Sequence, residues 1–365
     1  MSHSAASSLR PESACFQWEP LLKIIHVNLA KGFRGGERQT ELLIRALAVR
    51  QGARQWLACR RDSPLRDRLA EVPGLAFIDA DHQLAGHAQA GRLGADVVHA
   101  HDAKAVHWAG LHRWRHGVPY LLTRRVDAPV KNKLSNRLFY RGAARRVAIS
   151  SLIKRQLEAR DWGEVALIPS ALSGIKADPA GAKALHADFP GKYLVGHVGA
   201  LVDRHKGQRV LVAAARRLEE ARPDLQVLFF GQGEDAKVLE AEAADLGNVT
   251  FMGFKDNIGD YLPGLDLFAF PSRNEGLGSV LLDVMDARVP IVASRVGGIP
   301  DIVRDNDTGL LVPPGDAEAL ATAIARLHDE PALAQRLVDG ASAQLGRYTP
   351  KAMAEAYWRL YRDVI

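Results

Sequence analysis

Short apolar runs separated by stretches of helical spacing recur along the whole chain, and this alternation limits the possible folds more than any other feature. One series comprises "KIIHVNL" (23–29), "RQWLAC" (54–59), "LAFIDA" (75–80), "DVVHAH" (96–101), "PYLLT" (119–123), "RVAIS" (146–150) and "VALIPS" (165–170). A second comprises "YLVGHVG" (193–199), "LQVLFFG" (225–231), "NVTFMG" (248–253), "LDLFAFPS" (265–272), "VPIVAS" (289–294) and "GLLVPP" (309–314). Apolar strands alternating with helices call for parallel sheets covered on both faces. Two series predict two doubly wound α/β domains, and 365 residues suit two units of about 150–200 residues each. The rhythm lapses in "SGIKADPAGAKALHADFPG" (173–191), which places the domains at 21–185 and 186–347. Residues 348–365 read as an amphipathic helix with Met353, Ala356, Tyr357, Leu360 and Tyr361 on its apolar face. Residues 1–20 are small and polar, lack the apolar run of a signal peptide, and are expected to be disordered.

Composition narrows the class. A chain 47% hydrophobic and 25% charged has the balance of a soluble globular protein. Cys15 and Cys59 are its only cysteines, so neither a disulfide framework nor a cysteine zinc site is indicated, and a reducing cytoplasm fits. No apolar segment is long enough to span a bilayer, which makes any membrane contact peripheral.

Doubly wound sheets bind ligands beyond the carboxyl ends of their strands, so the loops after the runs carry the functional signal. "HVGALVDRHKGQ" (197–208) puts Arg204, His205 and Lys206 ahead of a helix. "FFGQGEDAKVL" (229–239) supplies Gly231 and Gly233, although a lone GxG also serves plain turns. "NVTFMGF" (248–254) ends a strand at Met252, Gly253 and Phe254, where backbone could pair with a nucleobase edge. In "PSRNEGLGSVLLDVMD" (271–286), Gly276 and Gly278 would let a ligand approach bare amides at a helix start, and free amides there favour phosphate. Glu275 and Asp283 flank that start. If 276–283 were fully helical, the two acids would lie about 12 Å apart along the axis, comparable to a diphosphate between two sugars. A carboxylate can hold a vicinal diol, so each acid could take one sugar. The alternative is a helix-capping Glu275 and a solvated Asp283, and spacing alone leaves both open.

The stretch "FPSRNEGLGSVLLDVMDARVPIVASRVGGIPDIV" (270–303) resembles the nucleotide-sugar-binding core of family 4 retaining glycosyltransferases, which have the GT-B fold of two Rossmann-like domains around a cleft. "VGALVDRHKG", "FFGQGE", "FMGF" and "TGLLVPPGD" (308–316) extend the similarity over nearly all of the second half, while "GGERQTELLIRALAVRQG" (35–52) and "DVVHAHDAKA" (96–105) agree more loosely. The resemblance implies that Lys206 is the cation on the donor diphosphate, with Arg204 a further candidate. It implies that Glu275 holds hydroxyls of the transferred sugar, that Gly276, Leu277 and Gly278 offer backbone amides, and that Asp283 takes the ribose. Gly231, Gly233, Met252, Gly253 and Phe254 fall on the donor side, and Gly35 and Gly36 face the donor phosphates and acceptor. His101, Arg124 and Asp127 fall on the acceptor side. The last helix is expected to cross back onto the first domain. Three positions depart from the family pattern: Asp283 stands where a second Glu is usual, Ala200 where an arginine is frequent, and Arg125 where a histidine is often found. Lys206, Glu275 and Arg125 form the expected catalytic set. Retention implies attack on the face the leaving group departs from, with the leaving phosphate taking the proton and no cofactor or metal ion required.

Other motifs have plainer readings. "DAD" (79–81) could pass for a metal-binding DxD but suits a strand-end turn, and His99 and His101 suit cleft lining better than a metal site. Gly35 and Gly36 could cap a helix with Glu37 in its first turn, and "NVT" sits in a strand rather than on a glycosylated loop. Between Ala103 and Arg160 there are fourteen Lys or Arg against two acids, Asp127 and Glu158. Within 123–146 these interleave with Leu134, Leu138, Phe139 and Tyr140, as on a helix lying against an anionic membrane. A solvated basic face is the plain alternative, and nucleic-acid binding lacks any accompanying motif. The expected activity is transfer of a hexose from a UDP- or GDP-sugar to a membrane-associated glycan such as lipopolysaccharide core, at the inner face of the cell membrane. A nucleotide-sugar epimerase of the same fold and a non-catalytic sugar-nucleotide-binding homologue are the alternatives.

Overall fold

The computed structural model describes residues 21–365, so the disorder expected of residues 1–20 lies outside the described residues. The first sheet contains β1 (Leu22–Asn28), β2 (Ala53–Cys59), β3 (Leu75–Asp79), β4 (Val97–Ala100), β5 (Tyr120–Arg124), β6 (Arg145–Ala148) and β7 (Val165–Leu167). The second contains β8 (Tyr193–Val198), β9 (Leu225–Phe230), β10 (Val249–Gly253), β11 (Leu267–Phe270), β12 (Ile291–Ser294) and β13 (Leu310–Val312). Every apolar run of the sequence forms a strand. The strand orders are β3-β2-β1-β4-β5-β6-β7 and β10-β9-β8-β11-β12-β13, with parallel pairing throughout. Chain direction across each sheet therefore reverses once, between β1 and β4 and between β8 and β11.

Both faces of each sheet are buried, and the strands show why alternation of polarity is missing. On β1, Ile25 and Val27 pack with Val98 and Trp108, whereas Leu22 and Ile24 pack on the opposite side with Leu43, Leu47 and Leu121. Successive side chains point to opposite faces, so a strand covered twice must be apolar at every position. The second sheet is covered likewise, by the helices Gln208–Leu218 and Ala317–Asp329 on one face.

The expected boundary at 185 and 186 falls inside the helix Pro179–Asp188, which packs on the second domain: Gly181 approaches Asp260, and Gly264 approaches Ala182. The chain thus passes between domains before Pro179. The closing helix, Pro350–Arg362, starts at the N-cap Thr349, whose hydroxyl accepts from the Ala352 amide at 3.1 Å. It lies on the first domain among Leu22, Leu43 and Val147. Its buried stripe is wider than the sequence reading: Ala354 and Trp358 join Met353, Tyr357, Leu360 and Tyr361, while Ala356 is only partly buried. Two tyrosines anchor it by hydroxyl as well as ring, Tyr361 with His99 Nδ1 at 2.7 Å and Tyr357 with Thr123 Oγ1 at 2.9 Å.

Replacing Tyr361 by Phe should lower stability by about 0.5–1.5 kcal/mol through the lost buried hydrogen bond, and replacing it by Ala by about 3–5 kcal/mol through the cavity. Urea unfolding followed by tryptophan fluorescence measures both, and wild-type stability in the Phe variant would show that the hydroxyl contributes nothing.

Candidate active site

The second domain's switch point gathers the residues the sequence singled out. Beyond β8, the turn Asp203–Lys206 ends at Gly207, whose φ of 64° lies in the left-handed region that glycine adopts without strain. Asp203 fixes that turn, accepting from the Arg209 amide at 2.8 Å while its own amide donates to Asp235 at 2.8 Å. The His205 carbonyl accepts from the amides of Arg273 (2.8 Å) and Asn274 (3.2 Å), which ties the β8 loop to the glycine loop after β11. The tie brings Lys206 Nζ to 2.5 Å from Glu275 Oε2 and to 5.3 Å from the Phe270 ring centre. Beneath the pair, His197 is held neutral: burial pushes its pKa down to about 4, and one ring nitrogen pairs with the Ala269 carbonyl at 3.0 Å. A second glycine pair supports the site from behind. The Gly298 amide donates to Glu275 O at 3.0 Å, and a Cβ at Gly297 or Gly298 would collide with the carbonyls of Glu275 or Gly276.

The helix that follows is shorter than the spacing argument assumed. Only Val280–Asp286 is α-helical, with Ser279 as N-cap and Gly278 at a φ of 82°. The estimate of about 12 Å between Glu275 and Asp283 along a helix axis therefore does not apply, because residues 276–279 form a loop. Among the described residues, the amides of Gly276, Leu277 and Gly278 make no hydrogen bond to protein. Asp283 is neither solvated nor free: its Oδ1 accepts from the Ser173 amide at 2.6 Å, in the segment joining the domains. Burial raises its pKa from the ordinary 3.8 to about 6, partly offset by that hydrogen bond.

Of the other expected donor residues, Gly231 and Phe254 line a cavity of 290 Å³ at the ends of β8, β9 and β10, with Val198, Gly199, Ala200, Phe230, Gln232, Lys255 and Ile258, whereas Gly233, Met252 and Gly253 do not. Gly231 and Gly233 are required by crowding, since a Cβ at either would strike the backbone of Gly199 or Leu201. The Gly231 amide donates to the Gly253 carbonyl at 2.9 Å, and Phe254 projects to solvent beside Met252 and Gly253. Arg204 points elsewhere, into an ion pair with Glu234 at 2.6 Å.

Across the cleft, Gly35 and Gly36 open the helix Gly35–Ala48, but Arg34 is its N-cap and its amide donates to Glu37 Oε2 at 2.9 Å. Gly36 lies against Arg125, with 3.6 Å between the Cβ position of Gly36 and Arg125 Cδ, while Gly276 of the second domain abuts the Arg125 carbonyl. The structure therefore brings Arg125 between the two glycine loops. His101 is buried and reaches the cleft only through Arg125, whose Nη2 lies 3.4 Å from His101 Nδ1. Arg124 pins its own loop by donating to the Ala128 carbonyl at 2.5 Å, and Asp127 lies half-buried on the same loop. Asp79 and Asp81 of "DAD" sit at the edge strand β3 in ion pairs with Arg66 and Arg61. Asn248 of "NVT" is buried and donates to the Ala215 carbonyl at 2.9 Å. Sequence reasoning passed over His26 and Gln55, which join the hydrogen-bonded chain of His101; the signal was a histidine within the apolar run of β1, between Ile25 and Val27.

Residues 192–330 match the family described as glycosyl transferases group 1. The C-terminal domain belongs to that family. Over 178 residues, covering 48% of this chain and 50% of the relative, the sequence is 34% identical to a lipopolysaccharide core biosynthesis glycosyltransferase, LpsE, of Rhizobium meliloti. Over 225 residues it is 30% identical to the phosphatidyl-myo-inositol mannosyltransferase of Mycobacterium leprae, covering 60% of this chain and 59% of that one. The match thus spans about half to three-fifths of the length of these relatives. Anabaena Alr3699/HepE in complex with UDP superposes with a TM-score of 0.79 at 19% identity, over 94% of this chain and 100% of the other. The lipopolysaccharide outer core galactosyltransferase WaaB, in its apo form, superposes with a TM-score of 0.73 at 18% identity, over 94% and 100% of the two chains. The fold is GT-B, as the sequence resemblance implied.

The raised pKa of Asp283 gives a signed expectation. Between pH 3.8 and about 6 the folded chain holds a proton that the unfolded chain has released, so stability falls as pH rises through that window and the full deficit persists above it. A displacement of that size corresponds to about 3 kcal/mol. Asp283→Asn keeps an acceptor for the Ser173 amide and should raise stability at pH 7 by a substantial part of that amount, with little change at pH 4. Chemical unfolding at both pH values measures it, and an unchanged pH dependence in the variant would remove the desolvated carboxyl as the cause.

Proposed function

We propose that this protein is a retaining glycosyltransferase that moves a hexose from a nucleoside diphosphate donor to a membrane-associated glycan. The observation that carries the reading is the Lys206–Glu275 pair standing beside the unpaired amides of Gly276–Gly278 at the second switch point. A diphosphate at those amides would share Lys206 with Glu275, leaving the Glu275 carboxylate to accept hydroxyls of the sugar. Charge develops on the leaving phosphate as its bond to the anomeric carbon breaks, and preorganised donors at that point lower the barrier most. The cavity walled by Phe254, Phe230 and Ile258 suits a planar base, and Asp283 is ionised at neutral pH and suits a ribose diol. In this mechanism the acceptor hydroxyl attacks on the face the phosphate leaves, the phosphate takes its proton, and no metal ion takes part. The named glycan transferases among the relatives support a lipopolysaccharide core or similar surface glycan as acceptor.

The surface of the first domain supports a membrane-bound acceptor at the inner face of the cell membrane. Trp114, at the end of the helix Ala103–His116, is 86% exposed, and Leu134 and Leu138 of the helix Leu134–Gly142 are 83% and 65% exposed. Trp114 and Leu138, together with Phe139 and Leu111, border a 520 Å³ hollow, and the exposed Lys131, Lys133, Arg137 and Arg141 belong to the same stretch of chain as Leu134 and Leu138. Of the apolar residues the sequence interleaved with charge, Tyr140 is buried in the core, and Arg145 lies on β6 paired with Glu164 at 3.3 Å. Trp114 was not anticipated. An apolar patch ringed by cations matches an anionic lipid surface. No helix among the described residues is long and apolar enough to cross a membrane.

Incubation with UDP- and GDP-hexoses and a lipid extract, with the anomeric configuration of the product read by NMR, tests the activity. Lys206→Ala should lower turnover by about a hundredfold or more, equivalent to 2–4 kcal/mol at the leaving group, while thermal unfolding stays unchanged. Turnover near wild type in the folded variant would take Lys206 out of the chemistry. For the surface, Arg137→Glu with Arg141→Glu should reduce binding to phosphatidylglycerol vesicles by at least about tenfold, with nucleotide affinity intact. Trp114→Ala should weaken the same binding at high salt, where charge is screened. Vesicle binding indifferent to all three changes would place the contact elsewhere.

A further inference from the structure

Below the cleft floor of the first domain lies a polar chain to which the transfer mechanism assigns no role. His26 of β1, His99 of β4 and His101 beyond it are buried, with ring nitrogens within 4.8 Å of one another. Such convergence resembles a metal site, but the pairing gives each nitrogen another occupation. Gln55 Nε2 donates to the Ile44 carbonyl at 3.1 Å, so its Oε1 is the atom that faces His26 Nε2 at 3.0 Å. His26 must therefore carry its proton on Nε2. Burial pushes its pKa down to about 4, so the ring is neutral and Nδ1 is a bare lone pair. The nitrogen facing that lone pair, His101 Nε2 at 3.0 Å, must donate. Burial keeps His101 neutral as well, which leaves His101 Nδ1 as an acceptor toward Arg125 Nη2 at 3.4 Å. Arginine is a donor only. The bonds thus run one way, from Arg125 through His101, His26 and Gln55 to the Ile44 carbonyl. His99 stands outside the chain, paired with Tyr361 and Thr123.

Arg125, at the head of the chain, has no carboxylate in contact. Among the described residues it enters no ion pair, its Nε is buried without a partner, and Glu37, the one carboxylate that supports its charge from a distance, accepts from the Arg34 amide. A buried guanidinium without a carboxylate is costly. Glycines adjoin the residue from both domains, Gly36 against its side-chain Cδ and Gly276 against its main-chain carbonyl, so neither loop places a side chain of its own at these contacts. We propose that Arg125 binds an oxyanion of the substrate, a phosphate or carboxylate oxygen entering between the two glycine loops, and that His101, His26 and Gln55 are positioning residues that aim its guanidinium. The inference deepens the donor and acceptor assignment above and rests on it for the source of the oxyanion, which is either the donor's second phosphate or an acidic group on the acceptor. Lys206 and Arg125 then approach the substrate from opposite domains, which makes closure dependent on charge.

The test is made on the full chain by calorimetric titration, without turnover, so a failed transfer assay leaves it interpretable. Wild type and Arg125→Gln are titrated with UDP, GDP and UMP, and with glucose 6-phosphate in the presence of saturating diphosphate nucleotide. A loss of about tenfold or more in diphosphate affinity, with UMP unchanged, assigns the oxyanion to the donor. Unchanged nucleotide binding with a similar loss for glucose 6-phosphate assigns it to an acidic acceptor. Equal affinities of the two proteins for every probe overturn the proposal, as does a wild type that binds none of them. The relay has its own signature: in wild type labelled with ¹⁵N-histidine, His26 and His101 are both Nε2–H tautomers. An Nδ1–H tautomer at either ring refutes the one-way chain. Gln55→Leu removes the acceptor of the His26 Nε2 proton and should weaken the same oxyanion several-fold while UMP binds as before; unchanged affinity in that variant shows that the chain does not aim Arg125.

Discussion

A parallel sheet covered on both faces has nowhere to place chemistry except at the ends of its strands, and this constraint organises the molecule. Covering helices occupy both faces, so a ligand can enter only where neighbouring connections diverge. Each sheet has one such point, β1 with β4 and β8 with β11. The loops that leave those strands carry Lys206 and Glu275 in one domain and His101 in the other, with Arg125 following the adjacent β5. Everything else in the fold can be understood as keeping those loops opposite one another. The helix Pro350–Arg362 does so by returning the chain to the first domain, and its two tyrosine hydroxyls reach the polar floor through His99 and Thr123.

Glycine supplies the second constraint, because the loops approach each other more closely than side chains permit. Gly231 and Gly233 press on Gly199 and Leu201, and Gly297 and Gly298 press on Glu275 and Gly276. These contacts are backbone on backbone. They also leave the amides of Gly276–Gly278 without protein partners at the point where an anion would be bound.

The electrostatics of the cleft are unbalanced toward the positive. Buried histidines beneath it are neutral because desolvation outweighs every hydrogen bond they make. One cation, Lys206, is paired with Glu275, whereas another, Arg125, enters no ion pair among the described residues and is supported only at a distance by Glu37. Asp283 contributes the opposite tension, a carboxyl desolvated between the domains and held by one backbone amide. Groups kept in environments unfavourable to their charge lower stability, and binding sites are where that loss is tolerated.

The sequence by itself determined both sheets, because strands buried on two faces must be apolar throughout and the runs announce themselves. It also marked the loops that converge at the second switch point, since a lysine turn, paired glycines and an acid beside them are local patterns. What it could not supply were contacts between residues far apart in the chain. The spacing estimate supposed a helix from residue 276, whereas Gly278 takes a left-handed turn before it, and the reading of Asp283 as a ribose ligand or a solvated acid had no means of foreseeing the amide of Ser173, 110 positions away, as its partner. Trp114 was passed over because a tryptophan on a helix is usually core, and only packing shows that no element among the described residues covers it. His26 and Gln55 became part of the site only when β1, β2 and β4 aligned in register, His26 opposite His99 on one side and opposite Leu57 on the other. Strand order decided these relations, for hydrogen bonds between strands join residues according to register and not according to their distance along the chain.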